Sequence, residues 1–274
     1  RVVVESGITE IGTGNLTAIA QVAAEILNCE VERVRVVEGD SDSPDGGPTN
    51  ASRTVYMGAG AVHQGATALK EEILKRASEV ADVPREQLFL EDGCVRGRPP
   101  ADVEVSFADL ARDGAVKARG FFEAAQFHGD DDWLPPYLFA FAVHLVQAAV
   151  DVRTGEVDVQ KVLCVLDPGR VINPIGVEGQ SEGGVAMGLG CAFMEELVLR
   201  DGIHENVFFG DYLIPTSLDV PDIRTAWVEH PEETSPYGAK GIAELPMNPF
   251  APALSNALYH ALGVRFLSTP ITPA

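Results

Sequence analysis

A helical pattern from Gly176 to Leu197 contains six glycines, and this density of glycine limits how the chain can fold. Each glycine destabilises a helix by about 1 kcal/mol relative to alanine, so a helix that keeps this many needs a structural reason. The usual reason is that a second backbone or a bound cofactor packs closely against it. We therefore expect this helix to contact another segment or a ligand. Gln180 and Ser181, near its start, are candidate ligand contacts, although early polar residues are more often helix caps.

Short β-branched segments alternate with helical patterns along the chain, in an order that occurs twice. The first half is predicted to contain strands at 2–5 and 31–37 and helices at about 16–27 and 54–80. The second half is predicted to contain a hairpin over 139–151 and 157–166, the glycine-rich helix, a strand at 223–228, a helix from a capping Asn248 to Gly263, and a last strand at Val264–Leu267. The pattern predicts an α+β fold of two-layer mixed-sheet units that is internally duplicated. We place the first unit at residues 1–125 and the second at 126–274, with an acidic linker over Gly120–Pro136.

The composition of the chain excludes several classes of partner. It has 41 Asp and Glu against 20 Lys and Arg, a formal net charge of −21, which argues against nucleic acid or an anionic membrane surface. The longest apolar run, Leu138–Val150, is too short to span a bilayer. Four widely spaced cysteines indicate reduced thiols and a cytoplasmic location. The six histidines show no metal-ligand spacing, so we expect no metal held by protein side chains alone.

An acidic chain can still bind an anionic cofactor, because the N–H groups at a helix start attract negative charge. Three predicted helices follow glycine-rich turns, at Gly12-Thr13-Gly14, at Gly46–Ser52 and at Gly176–Gly184. Each signal is weak on its own, since Gly12 and Gly14 do not complete the dinucleotide fingerprint and there is no P-loop. Ordinary turn chemistry explains any one of them. Together they favour either a site for an anionic cofactor or a nucleotide-binding module for ATP or NAD.

The segment Ser235–Pro252 contains one carboxylate, Glu244, in a loop that is otherwise neutral or basic, with Lys240 four residues earlier. A carboxylate that is desolvated holds a proton more tightly, which suits a general base. We expect desolvation by three apolar neighbours, Ile242, Leu245 and Pro246. A surface acid without a role is the ordinary alternative.

Six sequence blocks cover nearly the whole chain. They are GTGNLTAIAQVAAEIL, VERVRVVEGDSDSPDGGPTNASRTVYMGAGAV, VLDPGRVINPIGVEGQSEGGVAMGLGCAFMEEL, DYLIPTSLDVPDI, GAKGIAELPMNPFAPALSNAL and GVRFLSTPITP. Together and in this order they resemble the xanthine dehydrogenase/aldehyde oxidase family of molybdenum hydroxylases. The similarity is to the C-terminal half of the molybdenum-cofactor-binding subunit, and it implies the fold of that domain.

The resemblance also implies roles for individual residues. The catalytic glutamate of the family corresponds to Glu244, and a pterin-contacting glutamine corresponds to Gln180. Further cofactor contacts correspond to the Ala-Ser-x-Ser/Thr segment, here Ala51, Ser52, Arg53 and Thr54, and to the glycine turn, here Gly12, Thr13 and Gly14. Thr13 stands where many relatives have glutamine, and the backbone contacts of that turn are expected to remain. Asn50 and Lys240 are expected at the substrate pocket.

The activity that the resemblance implies is hydroxylation of a C–H bond in a purine, N-heterocycle or aldehyde, with water as the oxygen source. The cofactor would be molybdenum bound to molybdopterin, in its plain form or its cytosine dinucleotide form. The implied partners are the first half of the cofactor-binding subunit and subunits or domains that carry [2Fe–2S] clusters and FAD. The chain alone is expected to be inactive. The alternative is a non-catalytic scaffold or assembly subunit that keeps the fold.

Overall fold

The computed structural model of the protein describes residues 1–123 and 138–273. The described residues form two compact units. The first draws on Arg1–Tyr137 and Glu232–Gly241, and the second on Leu138–Pro231 and Ile242–Ala274. The first unit therefore includes a ten-residue segment that comes from late in the sequence.

The predicted linker over Gly120–Pro136 falls mostly on residues 124–137, which lie outside the described residues, and so does the predicted boundary between residues 125 and 126. Within the described part of the chain, no helix combines the length and the apolar character needed to cross a membrane.

The first unit opens with a β–α–β arrangement followed by a long helix. β1 (Val2–Glu5) and β2 (Val34–Val37) pair in parallel, and α1 (Asn15–Leu27) connects them. α2 (Thr54–Ala81) then packs against α1. Small buried side chains line the two helices, which allows their backbones to approach closely; they are Ala20, Ala23, Ala24, Ala66 and Ala77.

A small antiparallel sheet follows α2 in the first unit. Its strands are β3 (Leu88–Glu91), β4 (Cys94–Gly97) and β5 (Glu104–Ser106), with β4 in the middle. The one-turn helix α3 (Phe107–Leu110) follows, and the hydroxyl of Ser106 caps it by accepting the Asp109 N–H at 3.1 Å.

The second unit repeats the β–α–β–α order around a larger sheet. Its elements are β6 (Ala142–Val150), β7 (Val157–Leu166), α4 (Pro174–Phe193), the short pair β8 (Leu199–Arg200) and β9 (Ile203–His204), β10 (Asp222–Trp227) and α5 (Phe250–Leu262). β7 is central, antiparallel to β6 and parallel to β10. The order β7–α4–β10–α5 therefore matches β1–α1–β2–α2, and the predicted duplicated α+β fold is confirmed.

One face of the β7 strand forms the core of the second unit with α4 and α5. Val162, Cys164 and Leu166 alternate along β7 and are almost completely buried. They pack with side chains that include Leu189 of α4 and Leu254 of α5. Each fully buried aliphatic side chain stabilises the fold by about 1.5–3 kcal/mol.

The glycines of α4 confirm the predicted close packing at two positions. A Cβ at Gly184 would stand 2.6 Å from Cβ of Pro246, and a Cβ at Gly188 would stand 2.6 Å from Cβ of Phe250. Both distances are far below ordinary carbon–carbon contact, so glycine is needed at each position.

Two local predictions near the C-terminus were wrong. Asn248 does not cap a helix, because its φ of −62° and ψ of −42° are themselves helical, whereas a capping residue is normally extended; α5 begins at Phe250. Val264–Leu267 does not form a strand. The Phe266 carbonyl accepts a hydrogen bond from the Ser255 hydroxyl of α5 at 3.2 Å.

Candidate functional site

The segment before α2 is a tight turn with an unusual backbone. The Asn50 carbonyl accepts the Arg53 N–H at 3.1 Å, and the two central residues, Ala51 and Ser52, have φ of 50° and 53°. A non-glycine residue in this left-handed region costs about 1–2 kcal/mol. Neighbouring groups must therefore hold the turn in place, and such enforced strain is typical of functional loops.

The segment Glu232–Gly241 supplies some of those neighbouring groups. A Cβ at Gly241 would overlap the carbonyl oxygen of Ser52, so this backbone lies directly against the turn. Thr234 Oγ1 lies 3.0 Å from the hydroxyl of Tyr56 in the first turn of α2. Lys240, next to Gly241, is buried at 6% exposure. Lys240 and the 50–54 turn are thus part of the same unit.

The start of α2 has the features of an anion-binding helix terminus. The N-cap residue of this helix is Arg53, whose side chain makes no capping hydrogen bond. The first N–H groups of an α-helix have no partner within the helix and lie at the positive end of its dipole. Arg53 directly precedes the helix, and its guanidinium lies against Gly47 of the preceding glycine-rich loop. The start of α2 therefore combines backbone N–H donors with a positively charged N-cap residue whose guanidinium lies at Gly47.

The glycine turn before α1 is occupied by the chain's own carboxylate. Oε1 of Glu10 accepts the N–H groups of Gly12 at 2.9 Å, Thr13 at 2.6 Å and Gly14 at 3.0 Å. It also accepts the Ile11 N–H and the Thr13 hydroxyl, while Oε2 accepts the Leu16 N–H at 3.2 Å. The amides that the sequence suggested for an anionic cofactor are thus engaged by Glu10.

The environment of Glu10 favours the ionised form of its carboxyl group. Burial by itself would raise the pKa of Glu10, but the N–H donors of Leu16, Gly14, Thr13 and Gly12 outweigh it and hold the pKa below its ordinary value. Sequence reasoning missed this residue. The available signal was a glutamate shortly before a Gly-x-Gly turn whose last glycine has no side chain with which to cap the helix that follows.

The start of α4 is capped locally and leaves an open glycine face further along. Asn173 accepts the Gly176 N–H at 3.3 Å, as an N-cap. Gln180 is half-buried. Apart from the adjacent helix backbone, no described atom lies within 4 Å of a Cβ built on Gly179 or Gly183. These two glycines are therefore not explained by packing within the described residues. Ser181 is buried, and its hydroxyl donates to the Val177 carbonyl at 2.7 Å.

Glu244 is positioned by the close packing of α4. It directly precedes a 3-10 turn at Leu245–Met247, and the Met247 N–H donates to the Glu244 carbonyl at 3.2 Å. Pro246 of that turn packs against Gly184 of α4. The elements that carry Gln180 and Glu244 are thus packed against each other within the second unit.

The predicted desolvation of Glu244 is not seen among the described residues. Residue 244 is exposed, and Pro246, one of the expected covering residues, is buried against Gly184 of α4.

The predicted site residues are divided between the two units. Gly12–Gly14, Asn50–Thr54 and Lys240 belong to the first unit, and Gln180 and Glu244 belong to the second. Across the described ranges, no group of three or more His, Cys, Asp or Glu side chains could hold a metal ion.

A buried imidazole–thiol pair in the second unit has no catalytic geometry. His144 Nε2 lies 3.1 Å from Cys164 Sγ on the neighbouring strand, and both residues are buried. Burial lowers the pKa of His144 to about 4 and raises the pKa of Cys164 to about 11. Both groups are therefore neutral near pH 7, which suits a packed core and not a nucleophile.

Residues 1–221 match the family model of the molybdopterin cofactor-binding domain. The chain is 36% identical to the xanthine dehydrogenase molybdenum-binding subunit of Escherichia coli O157:H7, across 98% of this chain and 36% of that protein. It is 32% identical to the aldehyde oxidoreductase molybdenum-binding subunit PaoC of Escherichia coli strain K12, across 99% of this chain and 36% of that protein. Quinoline 2-oxidoreductase from Pseudomonas putida 86 has the same fold, with a TM-score of 0.82 and 30% identity over 97% of this chain and 35% of that chain. The chain thus spans about a third of the length of these relatives.

Proposed function

Because the chain belongs to the molybdopterin cofactor-binding domain family, within the xanthine dehydrogenase/aldehyde oxidase group, we propose that it is the cofactor-binding and base-carrying part of a molybdenum hydroxylase. The enzyme would oxidise a C–H bond of a purine, N-heterocycle or aldehyde, with water as the oxygen source. The names of the relatives are those of oxidoreductases, which does not favour the alternative of a non-catalytic scaffold.

The observation that carries the proposal is the start of α2. Of the three glycine-rich helix starts, α1 is occupied by Glu10 and α4 is capped by Asn173, whereas the N-cap residue of α2, Arg53, makes no capping hydrogen bond with its side chain. A strained turn at Ala51 and Ser52 leads into it. The N–H groups of the first helical turn and the guanidinium of Arg53 fit an anionic pterin in an acidic chain.

The second unit also carries donors that suit a pterin. Gln180 offers a side-chain amide beside Gly179 and Gly183, where a ligand can approach the helix backbone closely. With molybdopterin supplying the pterin sulfurs, no cluster of protein metal ligands is required. We also propose cofactor contacts for Gly12, Thr13 and Gly14. These contacts would use groups other than the amide N–H groups, which already donate to Glu10.

When bound, the molybdenum cofactor supplies the redox centre that takes two electrons from the substrate and passes on oxygen derived from water. Glu244 would accept, on a carboxylate oxygen, the proton released in that transfer. Lys240, buried in the first unit, would contribute positive charge at the substrate pocket, and the exposed Asn50 would limit access to it.

The proposed partners follow from the length of the relatives. We propose that a polypeptide segment equivalent to the first half of their cofactor-binding subunit completes the site. Subunits or domains with [2Fe–2S] and FAD would remove the electrons, and the cofactor would be molybdopterin in its plain or cytosine dinucleotide form. We propose a cytoplasmic location, which the four free cysteines support.

The test is Glu244→Gln in the assembled enzyme, with pterin and molybdenum content measured beside turnover. We expect kcat to fall by about 10²–10⁴, the usual contribution of a general base, with cofactor content unchanged. Glu233→Gln, which changes an exposed glutamate earlier in the same loop region, is the matched control and should keep wild-type kcat.

Retained turnover in a fully loaded Glu244→Gln enzyme would favour the scaffold alternative. A rise in the melting temperature of the chain with ATP or NAD would instead favour the nucleotide-binding module.

A further inference from the structure

The carboxylate of Glu10 is surrounded by more donors than a helix cap requires. Five backbone N–H groups and one hydroxyl converge on it, and all belong to the six residues that follow it. Its own N–H donates to Oε2 of Glu38, just after β2, which fixes the position of its backbone. Such a ring of converging N–H groups is the arrangement with which proteins bind phosphate.

The position of Glu10 compensates for a missing cap. The N-cap residue of α1 is Gly14, with φ of 76°, and it has no side chain to satisfy the first helical amides. Glu10 satisfies Leu16 from six residues upstream and holds Ile11–Gly14 in a closed ring on the way. Without this carboxylate, several partly buried N–H groups would lose their acceptor together.

We propose that Glu10 is a positioning residue, the internal anion that forms the Gly12-Thr13-Gly14 turn before any cofactor arrives and excludes external phosphate from the start of α1. The link from this turn to cofactor retention rests on the proposed function, whereas the hydrogen bonds of the Glu10 carboxylate do not depend on it. An anion already attached to the chain has a high effective concentration at these amides, so a free phosphate competes poorly with it. The turn would then be rigid before the cofactor binds, and the cofactor would contact it on the side that does not face the Glu10 carboxylate.

The first test uses melting temperatures of the full chain without cofactor. Glu10→Ala empties the ring of donors and should melt about 4 °C or more below wild type. Sodium acetate or inorganic phosphate at about 100 mM should then raise the midpoint of Glu10→Ala by about 2–4 °C, because a small anion can enter the vacated ring. Wild type should not respond beyond its response to sodium chloride at matched ionic strength.

Glu25→Ala is the matched control, since it removes the same charge from the exposed face of α1 without touching the ring. It should show neither the loss nor the anion-specific recovery. A Glu10→Ala variant that melts like wild type, or that responds equally to acetate and chloride, would overturn the proposal. If Glu10→Ala fails to fold, Glu10→Gln decides: a midpoint equal to wild type contradicts the need for an anion, and a lower one supports it.

The second test measures pterin content per assembled enzyme. Glu10→Ala should lower it severalfold and Glu25→Ala should not, and acetate added during loading should restore part of it. If wild-type enzyme contains no pterin, the proposed function fails, while the melting experiment still decides the role of Glu10. Full pterin content in Glu10→Ala would overturn the link between Glu10 and the cofactor.

Discussion

Gly183 and Gly184 are adjacent in α4, and replacing each with alanine should have opposite effects on stability. At Gly183, no described atom beyond the local helix lies within 4 Å of the new methyl group, so alanine should gain about 1 kcal/mol of helix propensity. At Gly184 the new Cβ would stand 2.6 Å from Cβ of Pro246 and 3.1 Å from the Met247 nitrogen. Ordinary carbon–carbon contact is about 3.5–4.0 Å, so the turn that carries Glu244 must move by about 1 Å.

The expected difference between the two variants is large enough to measure. Overpacking of this kind costs about 1–3 kcal/mol, and the helix-propensity gain offsets only part of it. Gly184→Ala should therefore unfold at lower urea than wild type and Gly183→Ala at higher urea, separated by about 1–3 kcal/mol in the free energy of unfolding. Equal stability of the two variants would show that α4 does not pack on the Leu245–Met247 turn as described, and the account of how Glu244 is positioned would be wrong.

Two further predictions concern His144 and Gly241. Burial lowers the pKa of His144 to about 4. Between about pH 6.5 and 4 the unfolded chain therefore binds a proton that the folded chain does not. The free energy of unfolding should fall as the pH drops across this range, by at most about 3 kcal/mol. Urea titrations should show a shallower pH dependence in His144→Gln but not in the exposed control His260→Gln, and equal slopes would contradict the assignment. Gly241→Ala should lower the free energy of unfolding by about 3 kcal/mol, because the new Cβ would overlap the Ser52 carbonyl. Gly210→Ala is the control: no described atom beyond its neighbours lies near the new methyl group, so its free energy of unfolding should stay within about 0.5 kcal/mol of wild type. A Gly241→Ala chain as stable as Gly210→Ala would refute the contact.

Periodicity was enough to predict most helices and strands, because apolar spacing follows directly from the geometry of each element. α1, α2 and β7 begin and end within two residues of their predicted limits. The β–α–β–α order, and with it the duplication, followed from these elements. The strand predicted at Val264–Leu267 failed because a short, mostly apolar segment does not reveal whether a partner strand is available.

The candidate site was less accessible to sequence reasoning. The resemblance suggested Gln180 and Glu244 as site residues, and they stay predictions. Whether a glycine turn is free for a ligand depends on which acceptor fills it. At α1 that acceptor is Glu10, and only the three-dimensional path of the turn shows this. The contact between Gly241 and Ser52 joins positions nearly two hundred residues apart, so no local pattern could have indicated it.

The assignment of Glu232–Gly241 to the first unit has a practical consequence for dissecting the protein. A gene cut between residues 137 and 138 would not yield two self-sufficient pieces, because the amino-terminal piece would lack the strip that braces the Ala51–Ser52 turn through Gly241 and Thr234. The carboxy-terminal piece would contain Glu232–Gly241 without the residues of the first unit that this segment packs against. Complementation with separately expressed fragments should therefore succeed only when both are present during folding.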